Sequence, residues 1–312
     1  MSDQPNHPLC RKLADLVLAH MPEEGFSETV IPGLALFRGD GPSSCSSAVY
    51  QPSLCVIAQG RKSVRFGDRE IIYEPLSCMI SSVDLPVIGQ IIDASPENPY
   101  LAVKFDFDPA EVAELVMELG QDLSPQRSDS DCPGMGCGVC VGQADFAILD
   151  AMSRLVALLD SPADARILLP LIRRELIYRA LVGEMGPRMQ EFVRADSQAQ
   201  RVARVISRLK ERFSEPLRIR ELADEVNMSE STLYHSFKQV TRMSPLQFQK
   251  KLRLHEARRL MLGEGLEAAT ASYRVGYESP SQFSREYSRL FGAPPRADVD
   301  KLRREPRLEV RA

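Results

Sequence analysis

The chain has no tryptophan, only four histidines and only seven cysteines in 312 residues. Seven cysteines are too sparse for a disulfide scaffold, which predicts a cytoplasmic protein with reduced thiols. Two of the histidines, His7 and His20, precede the first strand-like segment. The front half therefore lacks the several strand histidines that a metal-using barrel enzyme needs, which argues against dioxygenase-type chemistry. No apolar run approaches the ~18 residues of a membrane span. The first eight residues hold no basic segment followed by an apolar stretch, so no secretory signal is expected. No cofactor is expected either.

What is present divides in two. The apolar fraction of 44% and charged fraction of 26% are those of a globular chain. The length suggests about two domains. The formal net charge of −4 conceals a polarity. Residues 196–312 carry 23 Lys and Arg against 16 Asp and Glu, a balance of +7, whereas residues 1–195 carry 16 against 27, a balance of −11. An acidic front and a basic back predict that the back meets a polyanion.

The hydrophobic pattern changes along with the charge. A short helix over 9–20 closes a lead-in of 24 residues. Short apolar runs then recur at 34–37, 54–58, 63–66, 71–73, 78–80, 87–92 and 101–107. Gly67-Asp68 reads as a two-residue hairpin turn. Many short strands with turn signals predict a sandwich or barrel. A helix over 110–119, a Gly-, Ser- and Cys-rich loop over 120–142, and helices over 146–159 and 163–183 should follow. The last carries a wide apolar stripe, which suits either packing on the sheet or a dimer face. Residues 184–197 read as a linker.

From Gln198 onward the pattern is helical and contains a repeat. An offset of about 50 aligns Ser229 with Ser279, Leu233 with Phe283, Phe237 with Tyr287, and Pro245 with Pro295. Each copy reads as short helix, tight turn, capped helix, which makes two helix-turn-helix units. Asn227 and Gly276 stand where the turns need positive φ. Ser244-Pro-Leu-Gln247 predicts a capping box with Pro at the first helical position, and Ser279-Pro-Ser-Gln282 is a start signal of the same type. With Leu222, Ala223, Leu233, Phe237, Ala271, Phe283, Tyr287 and Leu290 turned inward, the exposed faces become Ser231, Thr232, Tyr234, His235 and Lys238 in the first unit. In the second they become Ser281, Gln282, Arg285 and Arg289. Such faces fit a major groove. Competing roles exist: His235 as plain surface, Gln282 as a capping partner, Arg258 and Arg259 as partners of nearby glutamates rather than phosphates.

Residues 198–297 resemble the DNA-binding domain of AraC/XylS-type bacterial transcription regulators. The resemblance is carried by Ile219-Arg-Glu-Leu-Ala-Asp-Glu-Val-Asn-Met-Ser229, by Ser231-Thr-Leu-Tyr-His-Ser-Phe-Lys238, and by Val275-Gly-Tyr-Glu-Ser-Pro-Ser-Gln-Phe-Ser-Arg-Glu-Tyr287. It implies base contacts at Ser231, Tyr234, His235, Ser281, Gln282 and Arg285. One departure is Arg242, where the family usually has Gly. Tyr50-Gln-Pro-Ser-Leu-Cys-Val-Ile-Ala-Gln-Gly-Arg-Lys62 and Ile80-Ser-Ser-Val-Asp-Leu-Pro-Val-Ile-Gly89 are similar to the regulatory domain of one subfamily. The resemblance implies an α+β chain with a cupin-like sensor and dimerisation domain at 25–190, an all-α DNA-binding domain at 196–297, and a charged tail at 298–312. It implies promoter DNA and RNA polymerase as partners, a small effector, and a possible homodimer.

Two signals remain open. The barrel interior is expected to hold a small apolar ligand. Alternatively, Cys132, Cys137 and Cys140, three thiols within nine residues, form a candidate thiol sensor or soft-metal site. Asp129 and Asp131 beside them would raise their pKa, and an inert loop is the competing reading. A rival class is a cupin-type or thiol enzyme fused to a DNA-binding domain.

Overall fold

The computed structural model describes residues 7–120 and 137–304. Its front half contains ten strands: β1 (Gly25–Glu28), β2 (Leu34–Gly39), β3 (Ser46–Tyr50), β4 (Ser53–Gln59), β5 (Arg61–Phe66), β6 (Arg69–Tyr73), β7 (Ser77–Ser81), β8 (Leu85–Asp93), β9 (Tyr100–Asp106) and β10 (Val139–Gln143). They pair antiparallel in two sheets, ordered β1-β2-β9-β4-β7-β10 and β3-β8-β5-β6.

Alternation along the strands explains the layering. On β4, Leu54, Val56 and Ala58 face one core, while Cys55 and Ile57 face another. The first core is closed by α1 (Pro8–His20), α2 (Pro109–Leu119), α3 (Phe146–Ala157) and α4 (Pro162–Val182), which lay Leu13, Val17, Leu115, Leu149 and Leu176 on the six-stranded sheet. The second lies between the sheets, where Val64, Phe66, Leu85 and Val87 meet Ile57 and Ala102. A strand covered on both faces reads as a continuous apolar run, as Leu54 to Ala58 does.

The back half is helical: α5 (Gly186–Val193), α6 (Gln198–Glu211), α7 (Ile219–Glu225), α8 (Glu230–Thr241), α9 (Pro245–Gly263), α10 (Ala268–Arg274), α11 (Pro280–Phe291) and α12 (Pro295–Arg304). Among the described residues, no helix is long and apolar enough to cross a membrane.

Several elements depart from the sequence reading. The segment 120–142, expected to be a loop, ends in β10, where Cys140 sits opposite Ile80 of β7. Strand pairing there is non-local, and nothing within the segment announces it. The expected linker over 184–197 contains α5, which buries Met189 and Phe192. The lead-in helix α1 is part of the front core rather than an appendage, since Cys10, Leu13 and Val17 are buried. The charged tail begins as α12, whose Asp298 is buried. Pro170 lies inside α4, which continues through it.

Candidate nucleic-acid interface

The first unit is α7, a turn and α8. Asn227 adopts φ of 53° in that turn, as the spacing predicts. Ser229 caps α8 by accepting a hydrogen bond from the Thr232 amide at 3.1 Å. Leu233, Phe237 and Val240 are buried, and Phe237 meets Phe248 of α9 edge-on at 5.4 Å. That burial leaves Ser231, Thr232, Tyr234, His235 and Lys238 exposed together on one face. The Thr232 hydroxyl also hydrogen-bonds the Ser229 hydroxyl at 2.7 Å, which fixes its position at the helix start.

The second unit is α10, a turn and α11. Gly276 takes φ of 87°, and a Cβ there would lie 2.1 Å from the Ser214 carbonyl oxygen. Only glycine satisfies both constraints. Phe283 and Tyr287 are buried, which leaves Ser281, Gln282, Arg285 and Arg289 on the open side of the helix. Of the inward set, Leu222 and Leu290 are only half-buried; the others are buried. The capping box expected at Ser244 forms, with Gln247 Oε1 accepting from the Ser244 amide at 2.9 Å. At Ser279 the side chain accepts from the Gln282 amide at 3.3 Å without the reciprocal bond, and Gln282 Nε2 donates to Glu286 at 3.1 Å.

Glu286 also accepts from Lys250 Nζ and from the Tyr277 hydroxyl, each at 2.8 Å. Burial pushes its carboxyl pKa up, but the bonds from Lys250, Gln282 and Tyr277 together hold it below the usual value. Arg285 therefore stands one residue before a fixed anion on the same helix.

Two features escaped the sequence reading. Arg253 of α9 donates to the carbonyls of Phe213, Gly276, Ser214 and Glu215, at 2.6, 2.8, 3.2 and 2.8 Å. One guanidinium thus ties the segment after α6 to the second turn. Arg258, open to a glutamate or phosphate reading, instead makes a buried two-pronged pair with Asp298 at 2.9 and 3.0 Å, and Asp298 also accepts from the Tyr287 hydroxyl at 2.7 Å. Arg259, its neighbour, does pair with Glu256 at the surface. No local signal links residues 258 and 298, which are 40 apart in sequence.

The second-core side of this domain docks on the front half. The Gly138 amide donates to the Val240 carbonyl at 3.0 Å. Lys210 pairs with Asp84 at 2.6 Å, and His255 shares a 3.1 Å hydrogen bond with Ser47 of β3. Burial drives the His255 pKa down to about 3, helped by the nearby cations Arg258 and Lys251. Arg242 ends α8 in the left-handed conformation itself, at φ of 58°. It lies against the Gly67 turn, where a Cβ on Gly67 would sit 2.3 Å from the Arg242 carbonyl oxygen.

The other predicted groups are scattered. Cys137 and Cys140 are buried, and Cys132 lies outside the described residues. Among the described residues, no cluster of three or more His, Cys, Asp or Glu side chains is arranged to hold a metal. His7 caps α1 and stacks on Phe146 at 4.4 Å, while His20 faces Asp160. Cys55 and Cys78 are buried strand residues; burial raises both thiols, that of Cys55 to about 11.

Residues 30–188 match the model of the AraC-type transcriptional regulator N-terminus, and residues 222–300 match a helix-turn-helix domain. The chain belongs to the AraC-type transcriptional regulators. Among curated relatives of this AraC-type chain is the HTH-type transcriptional activator RhaS of Escherichia coli O6:H1, 25% identical over 175 residues, with 56% of this chain and 60% of RhaS covered. The chain thus spans about three fifths of the curated relative it matches. Among solved structures, ToxT from Vibrio cholerae superposes with a TM-score of 0.56 at 11% identity, covering 89% of this chain and 98% of that one. ToxT from Vibrio cholerae O395 gives 0.53 at 10%, covering 89% and 98%. At that identity the likeness speaks for the fold of the AraC-type chain and for nothing finer.

Proposed function

We propose that this AraC-type regulator binds promoter DNA in a sequence-specific way, under control of a signal received by its front domain. The observation that carries the reading is the open state of both reading faces. Ser231, Tyr234 and His235 on α8, and Ser281, Gln282 and Arg285 on α11, are exposed while the opposite helix faces are packed. Between them α9 runs 19 residues, about 28 Å of helix at 1.5 Å per residue. Arg and Lys contacts to phosphate supply affinity, and base-edge contacts supply specificity.

The signal we assign is a small effector in the barrel rather than a thiol reaction. Burial of Cys137 and Cys140 withdraws two of the three clustered thiols from solvent. RNA polymerase is the expected further partner, and a second copy is expected on the outer face of α4. There Ile167, Leu168, Leu171, Tyr178 and Val182 are exposed apolar residues on one helix.

The test is binding to the DNA upstream of the protein's own coding sequence. Arg285→Ala should weaken specific binding by about 1–3 kcal/mol and relax one operator position. Equal loss on random DNA would refute its base-reading role. Wild-type affinity should be the same in reduced protein and after mild thiol oxidation. A change that Cys137→Ser or Cys140→Ser removes would restore the thiol reading.

A further inference from the structure

Three elements converge on the carboxylate of Glu286. Lys250 of α9 and the Tyr277 hydroxyl in the second turn each donate to it at 2.8 Å, and Gln282, one turn earlier on α11, donates from Nε2 at 3.1 Å. Tyr277 is itself fixed: it is buried, and its ring meets Phe283 edge-on at 5.4 Å. The three bonds favour the ionised carboxyl. Lys250 balances its charge, so the group does not repel the phosphates of a docked duplex.

A carboxylate only accepts hydrogen bonds, so the end of the Gln282 amide that faces Glu286 has to be its NH2 end. The amide is therefore held against turning over. One of its two N–H groups is spent on Glu286. The other N–H and the amide oxygen have no partner among the described residues. Gln282 is exposed, and it is the third residue of α11. That part of a reading helix meets base edges when a helix-turn-helix docks in the major groove.

We propose that Glu286 is a positioning residue for Gln282, and that Gln282, so oriented, reads one adenine in the major groove. The inference rests on the reading of α11 as a DNA-reading helix. Glu286 takes the N–H that points away from the amide oxygen. The remaining N–H donates to adenine N7, and the amide oxygen accepts from the adenine N6 amino group. Guanine carries O6 where adenine carries that amino group, so it would set an acceptor against the amide oxygen. Cytosine and thymine each offer a partner to only one of the two groups. Without Glu286 the amide is free to turn over and to leave the groove edge, and its preference for adenine fades.

The experiment uses the full chain. Wild-type protein first selects sites from a randomised duplex library, and dissociation constants on the selected site and its single-base variants are then read by fluorescence anisotropy. One adenine position should stand out. There, guanine or 7-deazaadenine, which lacks the N7 acceptor, should weaken wild-type binding by at least about fivefold. Gln282→Ala, a change at an exposed position, should bind all four bases and 7-deazaadenine at that position within about twofold of one another. Glu286→Ala should lose the same preference and keep those at other positions, and the double variant should lose nothing more there. Glu286→Gln, which still offers an amide oxygen to Gln282 and Lys250, should retain the preference. So should Tyr277→Phe, which removes one bond to Glu286 and leaves that of Gln282. Circular dichroism confirms that each variant folds, with Glu286→Leu as a second deletion of the carboxylate.

A wild-type preference in Glu286→Ala or Glu286→Leu overturns the positioning role. A Gln282→Ala variant with every preference intact, or one that changes preference at a base other than adenine, overturns the adenine assignment while DNA reading by the chain stands. Wild-type protein that selects no sequence overturns the regulator reading, and this inference with it.

Discussion

Replacing Asp298 by Ala should be among the most destabilising single changes in the helical half. Asp298 is 5% exposed and Arg258 is 7% exposed. The carboxylate accepts from Arg258 Nε and Nη2 and from the Tyr287 hydroxyl. Deleting it leaves a guanidinium without its counter-ion among apolar neighbours, including Phe291, whose ring centre is 4.3 Å from Arg258 Cζ. Breaking a buried pair from one side costs about 3–5 kcal/mol. With a urea m-value of about 1–3 kcal/mol per molar, the midpoint should fall by at least about 1 M. The adjacent Arg259–Glu256 pair is the internal control, because Arg259 is 55% exposed. Glu256→Ala should cost no more than about 1 kcal/mol. Urea unfolding of both variants, followed by far-ultraviolet circular dichroism, makes the comparison. Replacing both partners, as Arg258→Met with Asp298→Leu, should recover most of the loss, since two apolar side chains leave no charge stranded. If Asp298→Ala costs as little as Glu256→Ala, the buried pair is not what fastens α12 to α9, and the reasoning fails.

Acid should loosen the contact between the two halves. The His255 pKa is about 3 in the docked chain against an ordinary 6.5, so its stabilisation is complete above pH 6.5. It is then lost as pH falls toward 3, at up to about 1.4 kcal/mol per pH unit. His255→Gln should flatten that slope in pH-dependent unfolding, and an unchanged slope would refute the assignment. Gly276→Ala must place a Cβ 2.1 Å from the Ser214 carbonyl oxygen at positive φ. It should cost more than about 1 kcal/mol and abolish specific DNA binding, as read by urea unfolding and gel shift. Leu171→Arg puts a charge on the outer face of α4, where Leu171 is 61% exposed. The proposed homodimer should be lost in this variant, with unchanged stability; identical sedimentation of variant and wild type would remove α4 as the interface.

The helical half was legible because its determinants are local. Ser229 and Ser244 cap the helices they precede, through bonds that span three residues. Asn227 and Gly276 adopt the positive φ their turns require. The 3.6-residue spacing of Leu233, Phe237 and Val240 fixes which face of α8 is buried and so which face is open. Of the barrel, the strands that carry an apolar run bounded by turn signals were legible. The exceptions were β1, β3 and β10, which are mixed in polarity.

By itself, then, the sequence determined the kind of molecule: a strand-rich front, a doubled helix-turn-helix at the back, and the side chains each reading helix presents. Caps, periodicity and turn glycines act within a few residues, so they are written in consecutive letters. Tertiary structure alone decided what depends on pairing across the chain. It turned Arg258 from a phosphate candidate into a buried partner of Asp298, and it spread Arg253 over four carbonyls. It buried Cys137 and Cys140, and it fitted Gly67 against the left-handed Arg242. In each case the partner lies tens of residues or more away, and only the folded chain determines which charge is neutralised and which thiol is withdrawn from solvent.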